Sequence, residues 1–207
     1  FQPPLWLNDT ALDGRTILLH AEQGLGDTLK FARYIPLVEA MRAQVIVEAP
    51  ASLIPLLRTL KGSPTLIESG SSLPRFDCHC PLMSLPLAFH TTIDTIPAQV
   101  PYLFADPRKR SIWRERLGQN TKPRVGLAWS GFTRHINDRH RSMAFRTLKP
   151  LLQLDCEFHS LPKEIRPEDR DALAESPQIR LHTDELRDFA DTAAQVAELD
   201  IVISVDT

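Results

Sequence analysis

Residues 15–27 read RTILLHAEQGLGD, in which a short apolar run meets a loop with two glycines. The run at 15–20 predicts a buried β-strand, because strands covered on both faces are continuously apolar. Residues 28–41 then carry apolar side chains at helical spacing, which predicts a helix that Pro36 kinks by removing a backbone donor. A strand, a glycine-containing loop and a helix in this order form the opening unit of a parallel α/β sheet.

The same alternation continues along the first half of the chain. Further apolar runs predict strands at 44–49, 65–68 and 77–82. Helical spacing predicts a helix at 52–60, with Ser52 as its cap, and a short helix at 84–89. Because β-α-β connections return the chain in the same direction, these segments predict a parallel sheet covered by helices.

A polar, turn-rich segment separates this series from a second one. Residues 108–117 predict a helix, and the following GQNTKP at 118–123 predicts a turn. We therefore expect an N-terminal Rossmann-like domain at 1–107, a linker helix and turn at 108–123, and a C-terminal Rossmann-like domain at 124–207.

The second domain repeats the alternation of strands and helices. The strands are predicted at 124–129, 157–161, 179–182 and 200–205. The helices are predicted at 145–154, 167–175 and 186–199. Since a parallel βα unit that ends on a strand lacks its next helix, we expect this domain to be truncated. The predicted fold class is thus α/β, with two parallel-sheet domains.

Composition narrows the function classes. The net charge is −2 with a pI of about 6.4, so the chain lacks the basic excess typical of nucleic-acid or membrane surfaces. Its apolar runs are too short for a transmembrane segment. The three cysteines, an odd and sparse set, argue against a disulfide scaffold and fit a reducing cytoplasm.

The first loop has the beginning of a dinucleotide-binding motif but departs from it. Gly24 and Gly26 have the right spacing, yet the third glycine position holds Leu29. The residue after Gly26 is Asp27, whose negative charge would repel the pyrophosphate that such a motif holds. The sequence therefore argues against NAD binding here.

Two interpretations of Asp27 remain open. As a carboxylate on a turn at the end of the first strand, it is suited to act as a general base for an acceptor hydroxyl. Gly24 and Gly26 would let a substrate approach the backbone. Alternatively, Asp27 only caps the helix, which its spacing alone favours. Glu22 is the other carboxylate of the loop, and we expect it to be a solvated loop residue.

The second loop, at 130–142, reads SGFTRHINDRHRS and follows the first strand of the second domain. Its small residues and three arginines suit a phosphate-bearing ligand, whereas the alternative is a solvated surface loop. His135, Asp138 and His140 resemble metal ligands, but no further cluster completes a closed coordination shell, so we expect no metal.

Four stretches together resemble a known family over nearly the whole chain. They are LLHAEQGLGDT at 18–28 with FARYIP at 31–36; FDCHCPL at 76–82 with SLPLAF at 84–89; VGLAWSG at 125–131 with His135, Asn137, Asp138, Arg141 and Ser142; and DFADTA at 188–193 with LDIVISVDT at 199–207. They resemble bacterial TPR-associated glycosyltransferases, which are similar to the lipopolysaccharide heptosyltransferases of glycosyltransferase family nine.

The resemblance implies an enzyme of the GT-B type, with two Rossmann-like domains facing across a cleft. Asp27 would be the catalytic base of a direct displacement that inverts the anomeric carbon without an obligatory metal. Donor phosphates would contact Ser130, Gly131 and Arg141, and Lys163 would approach the nucleotide. Asp206 and Thr207 would begin a loop that leads into a helix facing the diphosphate.

The implied co-substrate is a nucleotide-diphosphate sugar, with no cofactor, and the acceptor is a saccharide, lipid or protein. Because the donor site would be incomplete, we expect weak donor binding and little turnover. Two alternatives stay open. One is a catalytically inactive GT-B-like scaffold module of a TPR protein, and the other is a different nucleotide-sugar enzyme such as an epimerase.

Overall fold

The structure is a computed structural model that describes residues 2–119, 121–131 and 138–206. The chain divides into two compact units, Phe1–Phe104 and Ala105–Thr207. In the part of the chain that the structure describes, no helix is both long and apolar enough to cross a membrane.

The first unit is built on a four-stranded parallel sheet of order β3-β2-β1-β4. Its strands are β1 (Thr16–His20), β2 (Gln44–Ala49), β3 (Thr65–Glu68) and β4 (Cys78–Pro81). The predicted strands and their parallel pairing are confirmed, and β2 and β3 have the predicted bounds. The central residues of β1 are fully buried, as a strand covered on both faces requires.

The helices of the first unit are shorter than the sequence predicts. They are α1 (Leu25–Phe31), α2 (Ile35–Glu39), α3 (Ile54–Leu57) and α4 (Leu85–Ala88). The single helix expected at 28–41 is wrong, because a 3₁₀ turn at Ala32–Tyr34 separates α1 from α2. Pro36 lacks the N–H that would continue the helical bonding. Ser52 is not a cap either, since α3 begins after Leu53.

β4 presents its cysteines and its histidine to opposite faces of the sheet. Cys78 and Cys80 are buried in the core, whereas His79 lies on the other face and is half-buried. The preceding N-terminal segment runs alongside, and Trp6 N donates to His79 O over 2.8 Å. The prediction that these cysteines are core residues is therefore confirmed.

The second unit has its own four-stranded parallel sheet, of order β7-β6-β5-β8. Its strands are β5 (Arg124–Ala128), β6 (Glu157–Ser160), β7 (Ile179–Arg180) and β8 (Ile201–Ser204). All four were expected, and each is shorter than its apolar run. Trp129, Phe145 and Phe158 are the largest side chains of one of its hydrophobic clusters.

The helices of this unit are α5 (Pro107–Leu117), α6 (Asp138–Arg141), α7 (Arg170–Ala174) and α8 (Phe189–Val196). The sequence assigns α5 to a linker, but Trp113 and Leu117 of this helix pack with Ala194 of α8 inside the second unit. The helix expected at 145–154 is wrong. Two 3₁₀ turns, Phe145–Leu148 and Leu151–Gln153, replace it around Pro150.

Two buried histidine rings, one of them from β6, stack on each other in the second unit. His159 Nδ1 lies 3.1 Å from His182 Nε2, and both side chains are almost fully buried. Burial, followed by the neighbouring His182 and then Arg180 and Arg124, lowers the pKa of His159 to about 4. Burial lowers the pKa of His182 as well. Both rings are therefore neutral at pH 7.

We expect the free energy of unfolding to fall as the pH drops from about 6.5 towards about 4. In that window an unfolded histidine binds a proton that the folded His159 does not, so protonation favours unfolding. Above about pH 6.5, the contribution of His159 to the free energy of unfolding does not change with pH. Urea unfolding at several pH values measures the slope.

The variant His159→Gln should flatten the acid slope, and His90→Asn, at an exposed position of the first unit, should leave it unchanged. An equal acid slope in wild type and His159→Gln would contradict this prediction.

Candidate functional site

Asp27 lies in the first turn of α1, which follows the carboxyl end of β1 after the loop 21–24. Its Oδ2 accepts a hydrogen bond from Gly24 N over 3.2 Å, and Thr28 N donates to Gly24 O over 3.1 Å. Gly26 is part of the helix and is exposed, so the loop is shorter than the sequence suggests. Asp27 itself is half-buried.

Gly24 has an ordinary extended backbone, and Asp27 limits the space beside its Cα. A Cβ added at Gly24 would lie 3.3 Å from Asp27 Oδ2. The glycine thus allows the carboxylate to approach the backbone closely. This geometry fits the capping interpretation of Asp27, and it also holds the carboxylate in one orientation, which a general base needs.

The same edge of the first sheet carries polar residues that the sequence did not single out. His20 ends β1, and its Nε2 lies 3.2 Å from His79 Nδ1 of β4. The strand register places His20 beside Glu48 of β2 on its other side. Burial, and then the neighbouring His79, lowers the pKa of His20, whereas Glu48 raises it. Burial also lowers the pKa of His79.

These side chains give the carboxyl edge of the first sheet hydrogen-bonding groups with little net positive charge. Neutral imidazoles donate and accept hydrogen bonds, as hydroxyl groups do. The signal in the sequence was weak, because His20 only ends an apolar run and His79 lies between two core cysteines.

In the second unit, the expected donor-binding residues lie around the carboxyl end of β5. Ser130 is buried, and Gly131 N donates to Ser142 Oγ over 3.1 Å. Arg141 Nε donates to Asp206 O over 3.0 Å and lies 3.5 Å from Asp206 Oδ2. The fold thus brings together residues from the connection after β5 and from the segment after β8.

The remaining expected residues are less well connected to this group. Lys163 Nζ donates to Arg187 O over 2.9 Å and is otherwise exposed. Thr207 and His135 lie outside the described residues. Within the ranges 2–119, 121–131 and 138–206, no group of three or more His, Cys, Asp or Glu side chains is placed to hold a metal ion.

Two residues that the sequence did not predict hold this part of the second unit. Arg166 Nη2 donates to both carboxylate oxygens of Asp138 and to Ser142 Oγ. Asp169, which is 1% exposed, accepts hydrogen bonds from Trp129 Nε1 and Phe145 N. Neither residue lies in a motif that links it to the loop after β5.

No protein-family model matches the chain, and no curated protein matches it. Among solved structures, that of the E. coli ADP-heptose LPS heptosyltransferase II matches with a TM-score of 0.62 and 12% sequence identity. The match covers 93% of this chain and 79% of that chain. The likeness shows the fold, so the predicted GT-B-like fold class, with two Rossmann-like parallel sheets, is confirmed.

Proposed function

We propose that this protein is a glycosyltransferase that transfers a sugar from a nucleoside-diphosphate donor to an acceptor hydroxyl. The observation that carries the proposal is the placement of Asp27, at the carboxyl end of β1, in a chain that shares a heptosyltransferase fold over most of its length. Fold alone does not define function, but α/β sheets bind ligands at this edge.

Asp27 acts as the general base in this proposal. The acceptor oxygen forms a bond to the anomeric carbon, the bond from that carbon to the diphosphate oxygen breaks, and the acceptor proton passes to the carboxylate. Attack from the face opposite the leaving group inverts the anomeric centre. The hydrogen bond from Gly24 N engages Oδ2, which leaves Oδ1 to face an acceptor hydroxyl.

The acceptor is a saccharide, or a lipid or protein that carries a hydroxyl group. His20, His79 and Glu48 support this class, because His20 and Glu48 lie near the carboxyl ends of β1 and β2, and His79 Nδ1 lies 3.2 Å from His20 Nε2. Neutral imidazoles and a carboxylate match the hydroxyl groups of a sugar in hydrogen-bonding character.

The donor diphosphate binds at Arg141, Gly131 and Ser130. Asp206 competes with it for Arg141, but the Asp206 side chain is 90% exposed, so their ion pair contributes only about 0–1 kcal/mol. A diphosphate that offers charge-assisted hydrogen bonds would displace it. The Arg141 guanidinium would stabilise the departing diphosphate, and the nucleotide sugar is a co-substrate in a reaction without a cofactor.

Lys163 contacts the nucleotide portion of the donor in this proposal. Its amino group is exposed and hydrogen-bonded to one backbone carbonyl, that of Arg187. Exchanging that carbonyl for a ribose hydroxyl or a phosphate oxygen would keep the amino group satisfied. Asp206 and Thr207 would lie beside the same diphosphate.

Thermal-shift measurements with ADP, UDP and GDP test the donor site. We expect one of these nucleotides to raise the melting temperature, because a ligand that binds the folded state stabilises it. Arg141→Ala should weaken binding of that nucleotide about tenfold or more, since a charge-assisted hydrogen bond contributes about 1.5–3 kcal/mol.

Arg146→Ala is the matched control, because it removes an exposed arginine from the same unit. If none of the three nucleotides shifts the folded wild type, the donor site is absent. The scaffold alternative, a GT-B-like binding module, then takes precedence. The observation that favours that alternative is the hydrogen bond through which Asp27 caps α1.

A further inference from the structure

The segment 166–169 follows β6 and contacts residues at both ends of the connection that leaves β5. At its start, the Arg166 guanidinium donates through Nη2 to Asp138 Oδ1 over 2.5 Å and to Asp138 Oδ2 over 2.6 Å. The two side chains are only 12% and 15% exposed. The same Nη2 lies 2.8 Å from Ser142 Oγ.

The Ser142 hydroxyl is the junction of this network. It accepts from Arg166 and from Gly131 N, and it donates to Asp138 Oδ1 over 2.8 Å. A hydroxyl has one donor and two acceptor positions, so all of them are used. The orientation of the Gly131 amide therefore depends on where Arg166 holds Ser142.

Asp169, three residues further on, fixes the flanks of the same connection. It accepts from Trp129 Nε1 over 2.9 Å and from Phe145 N over 2.8 Å. Met143 N also donates to Trp129 O over 2.9 Å. The segment 166–169 thus holds Trp129 and Gly131 at the start of the connection, and α6 and Phe145 at its end.

Stability alone is a poor reason for this arrangement. Burying an ion pair costs desolvation free energy, and a well-packed apolar pair of similar volume is often as stable. Within the described residues, Arg166 Nε is also buried without a hydrogen-bond partner, which adds to the cost. What the ion pair provides, and an apolar pair would not, is a fixed orientation for Ser142 and α6.

We propose that Arg166 is a positioning residue for recognition of the nucleoside diphosphate. Through Asp138 and Ser142 it holds the backbone at Gly131 and α6, which carries Arg141, in place before the ligand arrives. Arg166 itself does not touch the diphosphate. The inference rests on the proposed function for its ligand, whereas the geometry of the network stands independently of it.

The test compares the wild type, Arg166→Lys and the double variant Arg166→Met/Asp138→Leu in the full chain. Replacing both charges avoids leaving one of them buried and unpaired, which would endanger folding. Melting temperature reports folding, and hydrogen exchange reports protection of the Gly131 amide. Calorimetry then measures the affinity for whichever of ADP, UDP and GDP binds the wild type.

We expect the double variant to fold, to exchange the Gly131 amide about tenfold faster, and to bind the nucleotide about tenfold more weakly although Arg141 is intact. Arg166→Lys keeps the charge, but its amine ends one atom nearer the backbone than Nη2 and lacks the rigid guanidinium plane, so it should fall between the two. A double variant that matches the wild type in Gly131 protection, or in nucleotide affinity, overturns the inference.

The proposed function and this inference fail in different ways. If the wild type binds none of the three nucleotides, the donor site fails, and the role of Arg166 in nucleotide recognition fails with it. If the wild type binds a nucleotide and the double variant binds it equally well, only the role of Arg166 fails.

Discussion

Replacing Asp27 with asparagine is expected to lower the rate of sugar transfer by about 10²–10⁴-fold, the usual contribution of a positioned general base. Asparagine has the same shape, and its amide oxygen can still accept the hydrogen bond from Gly24 N. It cannot take up the acceptor proton. We therefore expect the melting temperature and the affinity for the nucleotide to change little.

The measurement is sugar transfer from a nucleotide sugar, followed with the protein in excess because we expect little turnover, with the donor chosen by the thermal-shift screen and simple saccharides as acceptors. Glu22→Gln is the matched control, because it removes an exposed carboxylate from the same loop without touching the helix. It should keep the wild-type rate.

The two interpretations of Asp27 give opposite outcomes in this experiment. If Asp27 is the general base, Asp27→Asn loses turnover while α1 stays intact. If Asp27 is only a helix cap, the variant loses at most about 1 kcal/mol of stability and keeps its turnover. Wild-type turnover in Asp27→Asn would contradict the proposed mechanism.

Replacing Asp169 with alanine is expected to lower the free energy of unfolding by about 3–5 kcal/mol. The change leaves two donors, Trp129 Nε1 and Phe145 N, without their acceptor in the core, and each such group costs about 1–3 kcal/mol. The small cavity adds to this loss. Since a domain is stable by only about 5–15 kcal/mol, the effect is large.

Urea unfolding followed by Trp fluorescence measures this loss. Asp169→Asn keeps one acceptor oxygen, but its amide NH₂ group faces one of the two N–H donors. Its loss of stability should therefore be intermediate. Glu168→Ala, one residue away and exposed, should stay within about 0.5 kcal/mol of the wild type. Equal stabilities for Asp169→Ala and Glu168→Ala would contradict the prediction.

The strands could be predicted from the sequence because their signal is local. β2 and β3 have the expected bounds, and all eight strands of the described residues fall within the segments predicted as strands. Runs of β-branched and other apolar residues are typical of strands buried on both faces. The α/β class and the parallel pairing follow from the order of the elements alone.

The lengths of the helices could not be predicted in the same way. Helical spacing at 28–41 and 145–154 continues through Pro36 and Pro150, but hydrogen bonding does not. Apolar periodicity records which face packs against the sheet. It does not record where a missing N–H ends the helix, and short 3₁₀ turns can present the same face.

The residues of the candidate site differ in the same way, because some have a local signal in the sequence and others do not. Asp27 was identified because it lies next to a strand and two glycines, and Arg141 and Asp206 because of the family resemblance. The pairing of His20 with His79, 59 residues apart, had no signal in the sequence. Arg166 is 24 residues from Ser142, and its contact arises only because β5 and β6 are neighbours.

By itself, then, the sequence determined the strands, the two-sheet α/β class and the carboxylate after the first strand. Each of these depends on residues within a few positions of one another. The tertiary structure alone decided that Arg166 and Asp169 hold the connection after β5, and that His20 meets His79. Such contacts depend on the register of parallel strands, which brings distant residues together at one edge of a sheet.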